Sequence, residues 1–450
     1  MNPEMFREYD IRGIAGKDMT EDDAKLIGQG VGTWLRQHNC QKISVGRDCR
    51  VTGERYAAKV IEGLRSCGCD VIDIGVGTTP VLYFSIRHLQ TEGGVMVTAS
   101  HNPPEYNGFK LCVGSDSIHG KQIQKILEII NAGDFVKGQG EFSTADVVTP
   151  YKAFVEDNIK LARPLRIGVD AGNGTAGVIA LPVLKNLKCE VHDLYCDMDG
   201  TFPNHEADPT VAKNMAELQQ LVKDKGLDLG IGFDGDGDRI GVIDEKGELV
   251  FGDRLMVLFA REILSRKPGA TIISEVKCSH TMYDDIEKHG GRAIMWRTGH
   301  SLIKQKMKDE NAELAGEMSG HVFFKDRYFG YDDAIYAACR LLEIVSASEM
   351  TISEMLSDLP QTFSTPEIRV ACPDKIKFDV VAKVTEYFRE RYNVIDIDGV
   401  RVLFDDGWAL VRASNTQPVL VLRFEAMSAE RLTEMREMVE AVLAKLQETE

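Results

Sequence analysis

The chain has 450 residues, too many for one ordinary core and enough for two to four domains. A hydrophobic share of 43% beside 27% charged residues describes a globular protein and excludes a disordered one. The formal charge of −17 and pI near 5.2 argue against a basic surface for nucleic acid or anionic membrane, and leave the capture of small anions to local Arg and Lys.

The opening MNPEMFREYDIRG carries acids early and has no apolar centre, so it does not read as a signal peptide. No run approaches the roughly 20 apolar residues of a membrane span, and the expected location is the cytoplasm. Ten cysteines are scattered without a C-x-x-C pair. They are expected to be reduced thiols. Tyr9-Asp10-Ile11-Arg12-Gly13 and Gly46-Arg47-Asp48 place basic groups near strand ends. Gly28-Gln29-Gly30-Val31-Gly32 lies inside a helical pattern, and Asp170-AGNGTAG follows a strand. Neither has the spacing of a dinucleotide fingerprint or a P-loop, so both read as helix packing or tight turns.

An order of elements recurs three times. Strands open at Lys42-ISVGRD, Leu165-RIGVDAGN and Ala270-TIISEVK. Each is followed by a helical stretch and a second strand: Asp70-VIDIG, Glu190-VHDLY and Arg292-AIMW. A third strand then ends in a small polar loop: Ser100-HNPP, Asp234-GDGDR and Glu317-MSGH. A fourth run follows each loop: Phe109-KLCV, Ile240-GVID and Val322-FFK. The pattern predicts three similar α/β units. Ligands of open α/β sheets bind beyond strand ends, so the three loops are expected to face one cleft. Polar stretches at 133–149, 244–253 and 357–366 read as boundaries, with Thr149-Pro150 as a linker end. The last part reads β-α-β-β-β-α, with a hairpin from Trp408 to Ala426 and a terminal helix from near Ser428. Its apolar stripe is Leu432, Met435, Val439, Val442 and Leu446.

Four loops carry the chemistry. In Gly93–Lys110 an apolar strand breaks at Ser100-His101-Asn102 before two prolines; a hydroxyl beside an imidazole suits nucleophilic chemistry, while an ordinary polar loop offers the same residues. Asp234-Gly235-Asp236-Gly237-Asp238-Arg239 sets three carboxylates at alternate positions. Such a group repels itself unless it shares a cation, and hard oxygen ligands suit Mg²⁺. Glu245 stands at the twelfth place of an EF-hand loop, but Arg239 fills the sixth, where that loop needs glycine. Gly316-Glu317-Met318-Ser319-Gly320-His321 offers a carboxylate, a hydroxyl and an imidazole to vicinal sugar hydroxyls. Arg412-Ala413-Ser414-Asn415-Thr416 can cradle a phosphate, with Arg423 as a candidate support. Lys277, Arg297, His300 and Lys304 add basic groups in the third unit.

Together Thr98-Ala99-Ser100-His101-Asn102-Pro103, Asp234-GDGDR, Gly316-EMSGH and Arg412-ASNT closely resemble the motifs of the α-D-phosphohexomutase superfamily, across the whole chain from Tyr9-DIRG onward. The resemblance implies an α/β protein with three similar α/β domains of mixed sheets, over residues 1–148, 149–249 and 250–359. A C-terminal α+β domain like the TATA-binding protein would follow at 360–450, all four around a central cleft. It implies that Ser100 is a phosphoserine and that Asp234, Asp236 and Asp238 hold Mg²⁺ with it. Arg239, His101 and Lys110 would serve the reacting end, with Lys110 a candidate for the sugar-hydroxyl proton. Glu317 and Ser319 would grip the sugar, supported by His321, His300 and Lys277. Arg412, Ser414, Asn415 and Thr416 would clamp the second phosphate, near Tyr9 and Arg12. The implied activity interconverts the 1- and 6-phosphates of mannose or glucose, with a hexose 1,6-bisphosphate as activator. Hexose phosphates would be the partners, in a monomer or weak homodimer. Met318 favours these sugars over glucosamine, for which glutamine is usual; a phosphoglucosamine mutase, a silent sugar-phosphate binder and a Mg²⁺-dependent phosphatase are the alternatives. Cys49 stands where relatives usually have glycine, which puts the local turn in question.

Overall fold

A computed structural model describes residues 1–415 and 417–447. In the first sheet Lys42–Arg47 lies between Asp70–Val76 and Gly93–Val97, parallel to both, and Tyr106–Val113 runs antiparallel beside Gly93–Val97. The second sheet repeats this with Arg166–Asp170 between Glu190–Leu194 and Leu229–Phe233, and Ile240–Ile243 antiparallel at the side. The third repeats it again with Thr271–Glu275 between Arg292–Trp296 and Leu314–Gly316, and Val322–Phe324 antiparallel. One four-strand order thus occurs three times, as the sequence pattern predicts.

The third strand of each unit explains where the loops go. Gly93–Val97, Leu229–Phe233 and Leu314–Gly316 are buried along their whole length. A strand covered on both faces must be apolar throughout, so polar residues can begin only where it leaves the sheet. Ser100, Asp234 and Glu317 follow these strands at that exit. The helical glycines also have a packing cause. A Cβ on Gly28 of the helix Glu21–Gln37 would lie 2.5 Å from Val60 O, and one on Gly30 would lie 2.4 Å from Ile130 Cγ1.

Two expectations change. Thr149 and Pro150 sit in the first turn of the helix Val148–Asn158, where a proline loses no hydrogen bond. The polar stretch before them contributes Phe142–Thr144, a strand pairing parallel with Asp70–Val76. The last unit contains Phe363–Ser364, Ile368–Ala371, the helix Lys377–Arg389, then Asn393–Ile395, Val400–Phe404, Gly407–Ala413, Val419–Ala426 and the helix Ala429–Gln447. It therefore has two strands more than β-α-β-β-β-α. Both escape a periodicity argument, since Phe363–Ser364 has two residues and Asn393–Ile395 three. On the terminal helix Met435, Val439 and Leu443 are the residues buried in the core, while Leu432, Val442 and Leu446 flank them.

One large apolar cluster, with members from Ile74 to Leu359, joins the helix Thr79–His88 of the first unit to the second and third units, while most of the first unit packs around a core of its own. The fourth unit has its own core. Its seam with the third holds a small apolar cluster of Val276, Trp408 and Leu410. Beside it Arg401 donates to Val276 O at 2.7 Å and Cys278 O at 2.8 Å. Among the described residues no helix is long and apolar enough to cross a membrane.

Candidate active site

Ser100 is 2% exposed and adopts φ +50°, a left-handed conformation costly for a residue with a Cβ. Its hydroxyl donates to Asp234 Oδ2 at 2.8 Å and lies 3.2 Å from His101 Nδ1. The acidic loop reaches it because Gly235 has no side chain: a Cβ there would stand 2.4 Å from Ser100 O. Gly237 has φ +74°, and a Cβ on it would meet Thr78 Cγ2 at 2.7 Å. Asp234 Oδ1 accepts the backbone N–H groups of Asp238 at 3.0 Å and Arg239 at 3.1 Å, which folds the loop back on itself.

Asp234, Asp236 and Asp238 are fully buried, and one oxygen of each lies within 4.8 Å of the others. Burial, then repulsion from Asp238 and Asp236, drives the Asp234 carboxyl well above its ordinary pKa. Lys110 opposes this, donating to Asp236 Oδ2 at 2.6 Å and Asp238 Oδ2 at 2.5 Å. Burial alone would discharge Lys110, but Asp236 and Asp238 outweigh it and hold the ammonium above its usual pKa. Asp236 Oδ2 also accepts from Thr79 Oγ1 at 2.5 Å. Asp236 Oδ1 and Asp238 Oδ1 are buried without a hydrogen-bond partner. Two orphaned carboxylate oxygens beside a serine hydroxyl are a donor set that fits Mg²⁺. Glu245 points elsewhere, accepting from Thr351 Oγ1 at 2.8 Å and from Ser353, which removes the EF-hand alternative.

Arg239 and His321 form an antiparallel bridge joining the second and third units. Arg239 Nε lies 3.0 Å from His321 Nε2. An arginine N–H can only donate, so Nε2 is the bare acceptor and Nδ1 carries the proton. Nδ1 faces Asp332 Oδ2 at 3.0 Å. Asp332 also pairs with Lys304 at 3.2 Å and lies 3.9 Å from His300 Nδ1. His300 and His321 stack at 5.4 Å between ring centroids. Burial, then Lys304, lowers the His300 pKa well below its ordinary value. Burial and the cations Arg239 and Arg12 do the same to His101. Glu317 accepts from Gly299 N at 2.8 Å and Ser319 Oγ at 3.0 Å, so its two oxygens are held in a fixed orientation.

The remaining candidates meet across the cleft. Tyr9 of the first unit donates to Thr298 O at 2.9 Å and accepts from Asn415 Nδ2 at 2.9 Å. Arg12 pairs with Asp10 and donates to Asn102. Lys277 lies 3.2 Å from Glu367 Oε2. Arg412 donates to Asp398 Oδ2 at 2.9 Å. Ser414 is 7% exposed, with Lys377 Nζ donating to its carbonyl at 2.5 Å. Thr416 lies outside the described residues. Two candidate basic groups are placed elsewhere. Arg423 lies 3.8 Å from Asp253, and Arg297 donates to Ile397 O at 2.9 Å. Cys49 takes no positive φ; its N–H donates to Thr175 Oγ1 at 3.1 Å, so the turn forms without glycine.

Sequence reasoning passed over Asp332, Asp398 and Thr79. The signal for Asp332 was an aspartate pair, Asp332-Asp333, just before an apolar helix. Asp333 serves as that helix's N-cap, accepting from Tyr336 N at 2.9 Å, which leaves the buried Asp332 to His321 and Lys304.

A three-fold α/β repeat with a fourth α+β unit, a buried serine against an acidic loop and a basic rim across the cleft define a phosphoryl-transfer protein of the phosphohexomutase class. Family models agree along the chain: phosphoglucomutase/phosphomannomutase alpha/beta/alpha domain I matches residues 3–137, domain II 149–247, domain III 251–363 and the C-terminal domain 367–442. The chain belongs to the phosphoglucomutase/phosphomannomutase family. It is 46% identical over 433 residues to the phosphomannomutase/phosphoglucomutase of Pseudomonas aeruginosa, covering 96% of this chain and 94% of that one. It is 44% identical to a phosphoglucomutase of Neisseria meningitidis, covering 98% and 96%. A crystal structure of a phosphoglucomutase/phosphomannomutase family protein from Burkholderia thailandensis superposes with a TM-score of 0.93 at 40% identity, covering 99% and 98%.

Proposed function

We propose that the protein interconverts mannose 6-phosphate with mannose 1-phosphate, and glucose 6-phosphate with glucose 1-phosphate, through a phosphoserine at Ser100 and a hexose 1,6-bisphosphate. The observation that carries this is the contact of Ser100 Oγ with Asp234 Oδ2 at 2.8 Å, beside the unpartnered oxygens of Asp236 and Asp238. Ser100, Asp234, Asp236 and Asp238 would hold Mg²⁺. When bound, the ion neutralises charge on the equatorial oxygens of a transferring phosphoryl group.

The chain's own residues supply the rest. Ser100 gives its phosphoryl group to a sugar hydroxyl and takes the other phosphoryl back after the bisphosphate has turned around. Arg239 stands beside the acidic loop to position the phosphate. Lys110, donating to Asp236 Oδ2 and Asp238 Oδ2, lines the reacting end and is the candidate to handle the sugar-hydroxyl proton. His321 Nε2 accepts from Arg239 Nε at 3.0 Å and so holds that guanidinium beside the acidic loop. Glu317 and Ser319 bind sugar hydroxyls, with Lys277 and His300 beside them. Arg412, Ser414, Asn415 and Thr416 hold the phosphate that is not transferred, and Tyr9 and Arg12 close the rim. Since that clamp reads phosphate and not one end of the sugar, it accepts both orientations. The domain divisions near residues 148, 249 and 359 belong to this reading.

The test is to incubate the protein with Mg²⁺ and glucose 1,6-bisphosphate and to map phosphate by peptide mass analysis. Coupled assays then follow mannose 1-phosphate, glucose 1-phosphate and glucosamine 1-phosphate. Phosphate on Ser100 and isomerisation of the first two are expected. Undiminished activity of Ser100→Ala would overturn the mechanism, and net release of inorganic phosphate would make the protein a phosphatase.

A further inference from the structure

Arg50 lies outside the rim of sugar- and phosphate-binding groups, yet its side chain is wholly buried. Its guanidinium donates four hydrogen bonds, all to backbone carbonyls of the serine loop. Nη1 reaches Pro103 O at 2.7 Å and Tyr106 O at 2.9 Å. Nη2 reaches Ser100 O at 2.8 Å and Asn102 O at 2.6 Å. Nε faces Asp48 Oδ2 at 3.2 Å. Asp48 in turn accepts Thr98 Oγ1 at 2.6 Å, and Thr98 Oγ1 accepts Ser100 N at 2.8 Å. Both backbone faces of Ser100 therefore lead to one ion pair. The carbonyl meets Arg50 directly, and the amide meets Asp48 through Thr98. On its outer side the guanidinium lies 5.2 Å from the ring of Phe202 in the second unit.

We infer that Arg50, with Asp48 and Thr98, is the positioning unit that holds Ser100 in its left-handed conformation and aims its hydroxyl at the acidic loop. The inference rests on the reading of Ser100 as the phosphoryl carrier. Ser100 has no glycine's freedom, so its φ of +50° persists only because the surroundings fix it. Four carbonyls converging on one planar fork give that constraint, and lysine, with three donors at a single point, cannot reproduce it. The same contact serves the chemistry. Each catalytic cycle returns the phosphoryl group to Ser100, so the hydroxyl must come back to one place. A loop that wanders exposes the phosphoserine to water, which takes the phosphoryl group, releases inorganic phosphate and regenerates the serine hydroxyl.

Arg50→Lys tests this in the full chain with Mg²⁺ and glucose 1,6-bisphosphate. The expected result is a kcat about tenfold to a hundredfold lower, the scale set by a misplaced reacting group. KM for glucose 1-phosphate should stay within about twofold, because the clamp is intact. Release of inorganic phosphate from the labelled enzyme should speed up. In Arg50→Ala, added guanidinium ion should recover part of kcat. Wild-type kcat in Arg50→Lys, a loss lying in KM, or a fall matched by the unfolded fraction read by circular dichroism would overturn the inference. Labelling of the wild type separates the two readings. Without phosphate on its Ser100 both fall; with it, an unaffected Arg50→Lys sinks this one alone.

Discussion

Ser100 and Asp234 stand 134 residues apart in the chain and 2.8 Å apart in the fold, the serine hydroxyl donating to the carboxylate. The pair joins the first unit to the second at a strand exit of each. Asp234 uses its other oxygen to accept Asp238 N and Arg239 N, at 3.0 and 3.1 Å. Asp234→Asn keeps that accepting oxygen, removes the charge and puts an amide N–H where Oδ2 accepted from Ser100. The loop should fold as before. Burial and two neighbouring aspartates push the Asp234 pKa up, so ionising it costs stability in the metal-free protein, a cost that Asn does not carry as pH rises. Its Tm should rise, by a gain of about 1 kcal/mol, while mutase activity falls by about 10³-fold or more. Differential scanning calorimetry beside a coupled assay checks both. A drop in Tm would show that Asp234 is a structural partner first.

Lys110 is the counter-ion of the acidic loop, with Asp236 and Asp238 both on its ammonium. Lys110→Met leaves buried carboxylates facing one another without it. Breaking a buried pair on one side costs about 3–5 kcal/mol, so the metal-free variant should melt well below the wild type. Mg²⁺ should restore more Tm in the variant than in the wild type, because it replaces the lost cation. Equal Mg²⁺-induced shifts would mean that the lysine and the ion do not share these carboxylates.

Asp333 predicts a pH effect on stability. Burial, against hydrogen bonds from Tyr328, Tyr336 N and Tyr151, raises its carboxyl from 3.8 to about 6. The folded chain therefore holds a proton there that the unfolded chain gives up. The stabilisation is complete below pH 3.8 and is lost as pH rises through about 6. The two values differ enough to make this about 3 kcal/mol. Asp333→Asn lacks the proton exchange. The wild type should lose Tm relative to the variant between pH 4 and pH 7, and a constant offset would refute the assignment.

Much of the fold was legible because its signals are local. Val95-Met96-Val97 before Ser100-His101, and Leu229–Phe233 before Asp234, show a strand and its exit in adjacent residues. The partnerships within the site were less legible. Thr79 on Asp236 joins segments 157 residues apart, while Asp332 beneath His321 and Asp398 behind Arg412 meet across irregular connections, and no spacing rule points to any of them. Arg50 sits in the stretch Gly46-Arg47-Asp48-Cys49-Arg50, where the change at Cys49 drew notice and the arginine did not. The strands Phe363–Ser364 and Asn393–Ile395 escaped for a simpler reason, since two or three residues carry no period.

Tyr9 predicts how the cleft closes. Its hydroxyl donates to Thr298 O at 2.9 Å in the third unit and accepts Asn415 Nδ2 at 2.9 Å in the fourth. One atom thus ties three units together at the rim. The apolar core that ties the helix Thr79–His88 of the first unit to the second and third does not extend into the fourth, which meets the third only through a small apolar cluster and polar contacts, so the fourth is the one free to turn. Tyr9→Phe keeps the ring, which lies 5.7 Å from that of His300, and removes only the tie. A hydrogen bond of this kind contributes about 0.5–1.5 kcal/mol, so KM for hexose phosphate should rise about threefold to tenfold. Chemistry at Ser100 is untouched, so kcat should change by less than KM. Small-angle scattering should show the free variant more expanded than the free wild type, and the difference should shrink with substrate bound. Identical scattering together with an unchanged KM would mean that the seam with the third unit, through Arg401, the Val276, Trp408 and Leu410 cluster and the Lys277–Glu367 pair, holds the fourth unit without Tyr9.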